Sequence, residues 1–226
     1  DVRSEVFRRA LERVAPDAET LGFAGFFGLP LAYRPQGSDM AEAHLPVLLA
    51  PSLSARDRTT DDAEAHARIV ARTARAWGRF RQAAVSSFAF VEAAGPLYGM
   101  KLLQGALGRA KMRAATAAPH LSAPMDPAAK GAMAAGVLRA MGLVGGQARV
   151  VLLVGHGASV ANNPHESAYH CGACGGRSGE VSARVLAGLL NDPDTRASLP
   201  AHGIALPDDT LFVAALHDTT TDRVTL

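Results

Sequence analysis

Cysteine is scarce in this sequence, which contains only two among its 226 residues. So few cysteines cannot form a disulfide framework. Both lie in a single Cys-x-x-Cys, at Cys171 and Cys174. In a reducing compartment this spacing indicates metal binding or redox chemistry rather than a structural bridge. A signal-peptide pattern is also lacking at the start of the sequence, so we expect no export.

Excess charge is the second feature that the sequence lacks. The formal net charge is +2, and the basic residues alternate with acidic ones without interleaved aromatics. This pattern excludes a nucleic-acid-binding surface as the leading interpretation. Hydrophobic residues make up 48% and charged residues 19% of the chain, which is typical of a globular protein.

A long uninterrupted apolar run is missing as well. The nearest approach to one is 83–100, which contains Glu92 and the pair Gly95-Pro96. A charge and a helix-breaking pair argue against a membrane span. We expect a buried helix pair here, with a surface for a membrane partner as the alternative.

Two stretches read as strands of a parallel sheet. Residues 148–157, ARVVLLVGHG, place five consecutive aliphatics between an arginine and a glycine, which predicts a strand buried on both faces. Residues 209–222, DTLFVAALHDTTTD, repeat a strand followed by a polar loop. A helical pattern at 178–191 lies between them, and strands that alternate with helices predict a parallel α/β sheet.

The remaining patterns predict elements earlier in the chain. Helical periodicity predicts a helix at 2–14, and a polar helix is expected at 61–80 with an apolar helix after it. Asp126-Pro127, a cap followed by proline in the first turn, predicts a helix that runs to about Met141. The aromatic and Gly-rich residues 20–34 indicate a buried strand with irregular backbone, and 35–60 is expected to be loop. The Ala-rich helical stretch at about 61–141 is predicted to be an insertion into the α/β core. Because the sequence enters a helix at once, we expect it to be a piece of something longer.

Polar residues stand where these elements would meet. His156 ends the first predicted strand, His217-Asp218 ends the second, and Asp1-Val2-Arg3 begins the first helix. In parallel sheets, sites lie outside the carboxyl ends of the strands. If the two strands are neighbours, these groups meet in one crevice.

Residues 156–176, HGASVANNPHESAYHCGACGG, contain three histidines and both cysteines. Zinc binds Cys, His and carboxylate ligands, so His156 and Cys171 are candidates, with Asp1 as a third ligand at the same edge. Each residue also has a simpler interpretation. Asp1 could cap the first helix, Arg3 could be a solvated charge, His156 could be a core histidine, and Cys171 could be a small buried hydrophobe.

Other residues of this loop are expected to have supporting roles. Cys174 packs the turn, unless it forms a redox pair with Cys171. His165 and His170 are expected to be exposed, and Asn162-Asn163-Pro164 is typical of a turn. Elsewhere, the apolar segment 23–27 could line a dry pocket or be ordinary core.

Three segments together resemble one known family. HGASVANNPHESAYHCGACGG, the initial DVRSE and ETLGFAGFFGLPLAYRP are similar to the DabA family, a large probable inorganic carbon transporter subunit related to β-type carbonic anhydrases. The resemblance covers the start, residues 19–35, and 148 to the end. It implies a parallel-sheet, β-carbonic-anhydrase-like α/β fold with a helical insertion.

The resemblance also implies a zinc site of two cysteines, one histidine and one aspartate. Asp1, His156 and Cys171 match three of these ligands, and Arg3 matches the arginine of the family motif. The first cysteine would stand two positions before Asp1, outside this sequence. Residues 1–226 would then be a single zinc-binding α/β domain of a longer protein.

The implied activity is hydration of CO2 to bicarbonate, with Asp1 and Arg3 gating the zinc. The implied partner is a membrane subunit similar to the proton-translocating subunits of respiratory complex I, through which an ion gradient would drive the reaction one way. The implied location is peripheral, on the cytoplasmic face of the cell membrane. Two other functions stay open: a structural zinc module at a subunit interface, and a Cys-x-x-Cys thiol redox protein.

Overall fold

The computed structural model describes residues 2–83, 87–107, 118–160 and 163–226. The chain divides into two compact units. The first comprises Asp1–Arg34, Met40–Arg58 and Thr116–Leu226, and the second comprises Pro35–Asp39 and Thr59–Ala115. The helix that starts at Pro127 lies in the first unit. The insertion expected at about 61–141 stays a prediction.

Helices and strands follow one another along the chain in a mixed order. The helices are α1 Val2–Val14, α2 Asp61–Gln82, α3 Ser87–Ala106, α4 Pro127–Ala140, α5 Glu180–Asn191 and α6 Pro193–Ser198. The strands are β1 Leu31–Arg34, β2 Glu42–His44, β3 Leu53–Asp57, β4 Pro119–Leu121, β5 Val150–Gly157, β6 Leu211–Asp218 and β7 Arg223–Thr225. Short helical turns lie at Glu166–Tyr169, Gly172–Cys174 and Leu199–His202.

The strands form two sheets with both parallel and antiparallel pairing. One sheet has the order β2-β1-β3-β4, in which only β1 and β3 are parallel. The other has the order β5-β6-β7, in which β5 and β6 are parallel and β7 is antiparallel. The fold class is therefore mixed α/β. The strands predicted within 148–157 and 209–222 are confirmed, and they are parallel neighbours. The loop expected at 35–60 is wrong, because this segment contains β2 and β3.

Helix starts follow the capping signals of the sequence. Thr60 caps α2 by accepting a hydrogen bond from the N–H of Ala63, and acidic residues fill the first turn. Asp126 caps α4 by accepting from the N–H groups of Ala128 and Ala129, with Pro127 at the first helical position. These caps explain why both helices begin where the sequence predicts.

Helix α5 covers one face of the β5–β6 pair and carries much of the core. The side chain of Asn191 holds its end to β6, since it donates to the carbonyl of Phe212 at 2.7 Å and accepts from the same residue's N–H at 3.1 Å. The buried core around α5 includes Leu138, Leu153, Val181, Val185, Leu186, Leu190 and Phe212.

The opposite face of the β5–β6 pair is largely open. Val150, Leu152 and Val154 are between 42% and 56% exposed, so the expectation of a strand buried on both faces is wrong. Side chains alternate along a strand, and α5 covers only one set of them. At the carboxyl end of the open face, the ring of Phe7 from α1 stacks on His217, with 4.1 Å between centroids.

The second unit is held by aromatic side chains between α2 and α3. The Trp77 indole donates to the Tyr98 hydroxyl at 3.0 Å, and Phe80 and Phe90 pack beside them. Helix α2 buries none of its residues, and the described side chains of α3 that are buried are Phe90 and Ala94. The buried helix pair expected within 83–100 is therefore wrong, because residues 87–100 lie in the single helix α3, which continues through Pro96 and is mostly exposed. Within the described residues, none of the helices combines the length and apolarity that crossing a membrane requires.

Substitution of Gly155 should destabilise the first unit. A Cβ added there would collide with the backbone carbon and oxygen of Gly179, which cannot move without shifting α5. We expect Gly155→Ala to cost about 1–3 kcal/mol and to lower the temperature of unfolding. Gly136→Ala in α4 is the matched control, because its Cβ meets no atom within 4 Å. Equal unfolding temperatures in the two variants would contradict this packing.

Candidate functional site

The backbone of residues 177–179 binds both of the candidate ligands that the structure describes, His156 and Cys171. The N–H of Gly179 donates to the carbonyl of His156 at 2.9 Å, and the N–H of Cys171 donates to the carbonyl of Arg177 at 3.1 Å. The end of β5 and the start of the Cys-x-x-Cys turn are thus fixed to the same piece of backbone. His156 and Cys171 are both buried, and the structure fixes their backbones to the same short segment.

Gly25 lies against the cysteine sulfurs. A turn in which the N–H of Phe27 donates to the carbonyl of Ala24 at 2.8 Å presents this glycine to the Cys-x-x-Cys turn. A Cβ at Gly25 would stand 2.5 Å from the Sγ of Cys171 and 3.6 Å from that of Cys174. Only glycine allows this approach. Phe27 itself packs in the hydrophobic core, which agrees with the interpretation of that residue as ordinary core.

The two thiols differ in acidity because one donates to the other. The hydrogen bond from the thiol of Cys174 lowers the pKa of Cys171 to about 7, against the opposing effect of burial. Backbone N–H groups of Ala173 and Cys174 lower it further. The same hydrogen bond, together with burial, raises the pKa of Cys174. Cys171 is therefore the more acidic of the two thiols and the one with a substantial thiolate fraction near neutral pH, the form that binds metal ions or attacks disulfides.

His156 is neutral in this environment. Burial lowers its pKa to about 4, and nearby positive charge, including Arg3, lowers it further. A neutral imidazole is the form that can ligate a metal ion. The preference for a thiolate at Cys171 and a neutral ring at His156 is the pair of protonation states that a zinc site requires.

Arg3 lies against the loop that leads to Cys171. Its Nη2 donates to the carbonyl of Ala168 at 3.0 Å, and its guanidinium carbon stands 5.4 Å from the centroid of the Tyr169 ring. The first turn of α1 is thereby held beside this loop. Asp1 lies outside the described residues, and its position stays a prediction.

The end of β6 adjoins His156, as expected for neighbouring strands. His156 pairs in register with His217, and Gly157 pairs with Asp218. His217 is buried, and its Nε2 stands 3.3 Å from Oδ1 of Asp222. Burial raises the pKa of Asp218, but hydrogen bonds from Ser159 and Thr220 outweigh it and bring the pKa to about 2. This carboxylate therefore secures the loop that follows β6.

The two other histidines of the 156–176 loop behave differently from each other. His165 is exposed, as predicted. The expected exposure of His170 is wrong, because its side chain is mostly buried. Its Nε2 stands 3.3 Å from Oε1 of Glu166, and its Nδ1 faces Gly157. The N–H of His165 donates to the side chain of Asn163 at 2.9 Å, the turn predicted there. Asn162 lies outside the described residues.

His44 is a buried residue near the site that sequence reasoning missed. It is 4% exposed, its ring meets that of Tyr33 edge-on at 5.4 Å, and its strand β2 adjoins the Cys-x-x-Cys turn. Glu42 of the same strand pairs with Arg177 at 3.0 Å. Burial, and then the charge of Arg177, lower the pKa of His44 to about 4. The sequence did not indicate that His44 is buried near the site, because it is a single histidine in a segment expected to be loop.

A three-ligand metal cluster is not complete among the residues that the structure describes. Within them, no group of three or more His, Cys, Asp or Glu side chains could hold a metal ion. Of the expected ligand set, the described part of the chain contributes His156 and Cys171.

The buried histidine at position 44 should make stability depend on acid pH. The pKa of His44 in the folded protein, about 4, lies below its ordinary value of 6.5. Between these two values the unfolded protein takes up a proton that the folded protein does not. The contribution of His44 to the free energy of unfolding is therefore fully present above pH 6.5 and is lost as the pH falls toward 4. The loss is roughly 3 kcal/mol. We expect His44→Phe to reduce the dependence of unfolding free energy on pH between 4 and 6.5, and the part that remains is due to the other buried histidine with a pKa of about 4, His156. Exposed His66→Phe is the control and should leave the wild-type slope. An unchanged slope in His44→Phe would contradict this assignment.

Comparison with known proteins places the chain in one family. The family model described as "Probable inorganic carbon transporter subunit DabA" matches residues 1–226. Proteins with that same description from Allorhizobium ampelinum, Rhodospirillum centenum and Methylobacterium sp. are 61%, 59% and 60% identical, over all of this chain. The chain spans 28% of the length of these relatives.

No solved structure matches the chain. The family model and the relatives both cover the whole sequence. The chain therefore belongs to the DabA family of probable inorganic carbon transporter subunits.

Proposed function

We propose that this chain is the zinc-binding, CO2-hydrating part of an inorganic carbon uptake complex. The observation that carries the proposal is the shared anchoring of His156 and Cys171 on the backbone segment 177–179. Two buried groups held in this way, one a thiolate and one a neutral imidazole, have the chemistry of a zinc site. Membership of the DabA family supports the role in inorganic carbon uptake.

The donor chemistry of His156 and Cys171 suits zinc. Asp1, His156, Cys171 and a cysteine upstream of Asp1 would hold zinc, which takes Cys, His and carboxylate ligands in four-coordinate sites. When bound, zinc would supply the Lewis acidity that makes water a nucleophile toward CO2 near neutral pH. Gly25 lies so close to the Sγ of Cys171 that no water molecule fits beside the sulfur on that side.

Arg3 would gate the site by pairing with Asp1. Its guanidinium is oriented by the carbonyl of Ala168 and the ring of Tyr169. A fixed positive charge at this place would favour an ionised Asp1 and would attract the bicarbonate product. In this proposal Arg3 acts on its neighbours by charge, while His156 and Cys171 hold the metal.

The wider setting follows from the family. We assign this chain a β-carbonic-anhydrase-like core and a location at the cytoplasmic face of the cell membrane. Its partner would be a membrane subunit similar to the proton-translocating subunits of respiratory complex I. An ion gradient acting through that partner would make hydration run one way. The printed description of the relatives, a transporter subunit, supports a membrane-associated complex.

A thiol redox function is the second candidate, since the lowered pKa of Cys171 beside Cys174 also suits disulfide exchange. Burial argues against it. The two residues are 1% and 0% exposed, whereas reactive cysteines are partly accessible. Zinc is therefore the better interpretation of the pair.

Zinc content of variants of the full-length protein tests the ligand assignment. We expect about one zinc per chain in the wild type and close to none in His156→Ala or Cys171→Ala, because each removes a ligand. Cys174→Ala should retain most of its zinc, since Cys174 contributes a hydrogen bond rather than a ligand. Metal analysis after dialysis measures this. Loss of zinc in Cys174→Ala alone would overturn the assignment.

Substitution of Arg3 tests whether the proposed zinc is catalytic or structural. Arg3→Ala should keep its zinc and lose most inorganic carbon uptake, measured with labelled bicarbonate in cells lacking other uptake routes. Arg9→Ala is the matched control, because Arg9 lies on the same helix, is exposed and pairs with Glu5. Full uptake in Arg3→Ala with zinc retained would favour a structural zinc module.

A further inference from the structure

A large cavity lies in the first unit, away from the candidate site. Its volume is about 870 Å³, and it opens between α5, the first half of β6 and the segment that contains β4. This volume falls in the range of pockets that bind small organic molecules. A bicarbonate ion would fill only a small part of it.

The walls of the cavity are mainly apolar. Val185 and Leu189 come from α5, Phe212 from β6, and Leu121 and Met125 from the segment around β4. Val185, Leu189 and Phe212 belong to the buried core, so this wall is rigid. Such a wall suits the hydrocarbon part of a ligand.

Basic side chains stand at the edge of the same cavity. Lys130 pairs with Asp192 at 3.1 Å, and Arg184 pairs with Glu180 at 2.9 Å, so these two cations are largely neutralised. Arg58 also lines the cavity, and its guanidinium makes no ion pair with any residue in the described ranges. An arginine that forms no ion pair with the described carboxylates is suited to a carboxylate or phosphate group of a ligand.

His120 adds a second polar group beside Arg58. Its Nδ1 is buried and has no hydrogen-bond partner within the part of the chain that is described. Burial, and then the charges of Arg58 and Arg56, lower its pKa. A buried ring nitrogen without a partner costs free energy unless a ligand or water meets it.

The cavity is distinct from the candidate site. Val213 of β6 lines the cavity, and His217 lies four positions further along the same strand. The rise of a strand places them about 13 Å apart. A ligand here would touch neither His156 nor Cys171.

We propose that this cavity binds an organic anion, with its carboxylate or phosphate group at Arg58 and His120 and its apolar body against α5 and β6. The proposal goes beyond inorganic carbon chemistry and does not depend on the proposed function. Gly188 of α5 makes room for the apolar body, because it lines the cavity and a Cβ there would meet no atom within 4 Å.

Calorimetric titration of the full-length protein tests the proposal. The probes are hexanoate and hexyl phosphate, with hexan-1-ol and acetate as ligands that lack the anion or the apolar body. We expect at least one of the two anionic probes to bind, the better one identifying the head group, and neither control ligand to match it. Arg58→Gln should weaken the binding about tenfold or more. Arg56→Gln, which removes an exposed charge in β3 two residues before Arg58 and outside the cavity lining, should not.

A second variant blocks the cavity without removing charge. Gly188→Leu should abolish binding by filling the open space, and leucine favours the helix that glycine weakens. Gly136→Leu is the matched control on α4, where the added side chain meets open space outside the cavity. Failure of both anionic probes to bind overturns the proposal. Binding that survives in Arg58→Gln and Gly188→Leu also overturns it, because the probe would then occupy another place.

Discussion

The site depends on the close contact between Gly155 of β5 and Gly179 at the start of α5. The two backbones touch, since a Cβ at Gly179 would lie 3.1 Å from the Cα of Gly155. That approach lets the N–H of Gly179 reach the carbonyl of His156. Through Arg177, two residues earlier, it also fixes the backbone of Cys171. A side chain at either glycine would separate the strand from the helix, and both candidate ligands would move apart.

The unequal thiols follow from this anchoring. Once Cys171 is held by Arg177, the turn at Gly172–Cys174 returns the chain so that the thiol of Cys174 and two backbone N–H groups point toward the first sulfur. One cysteine then carries the negative charge and the other carries the proton. The sequence alone could not assign these roles, because a Cys-x-x-Cys spacing is symmetrical until the backbone around it is known.

Sequence patterns predicted the elements whose signals are local. Helix α1 follows from its periodicity, α4 from Asp126-Pro127, and the β5–β6 pair from two aliphatic runs with a helix between them. The sequence patterns failed where burial depends on packing between segments that are far apart in the sequence. Strands β2 and β3 are only three and five residues long, and the short alternation of β3 ends on a buried charged residue, Asp57. The open face of β5 could not be foreseen, because its aliphatic run does not reveal that α5 covers one side only.

Helix α5 connects the candidate site and the cavity, and its packing keeps them separate. Gly179 stands at its start beside His156, while Gly188 opens the cavity about 13 Å along its axis. Most residues between them are buried on β5 and β6, and its end is held by Asn191. A closely packed helix does not yield gradually to a ligand. An anion in the cavity would therefore leave the geometry around His156 and Cys171 in place, and the two sites would act independently.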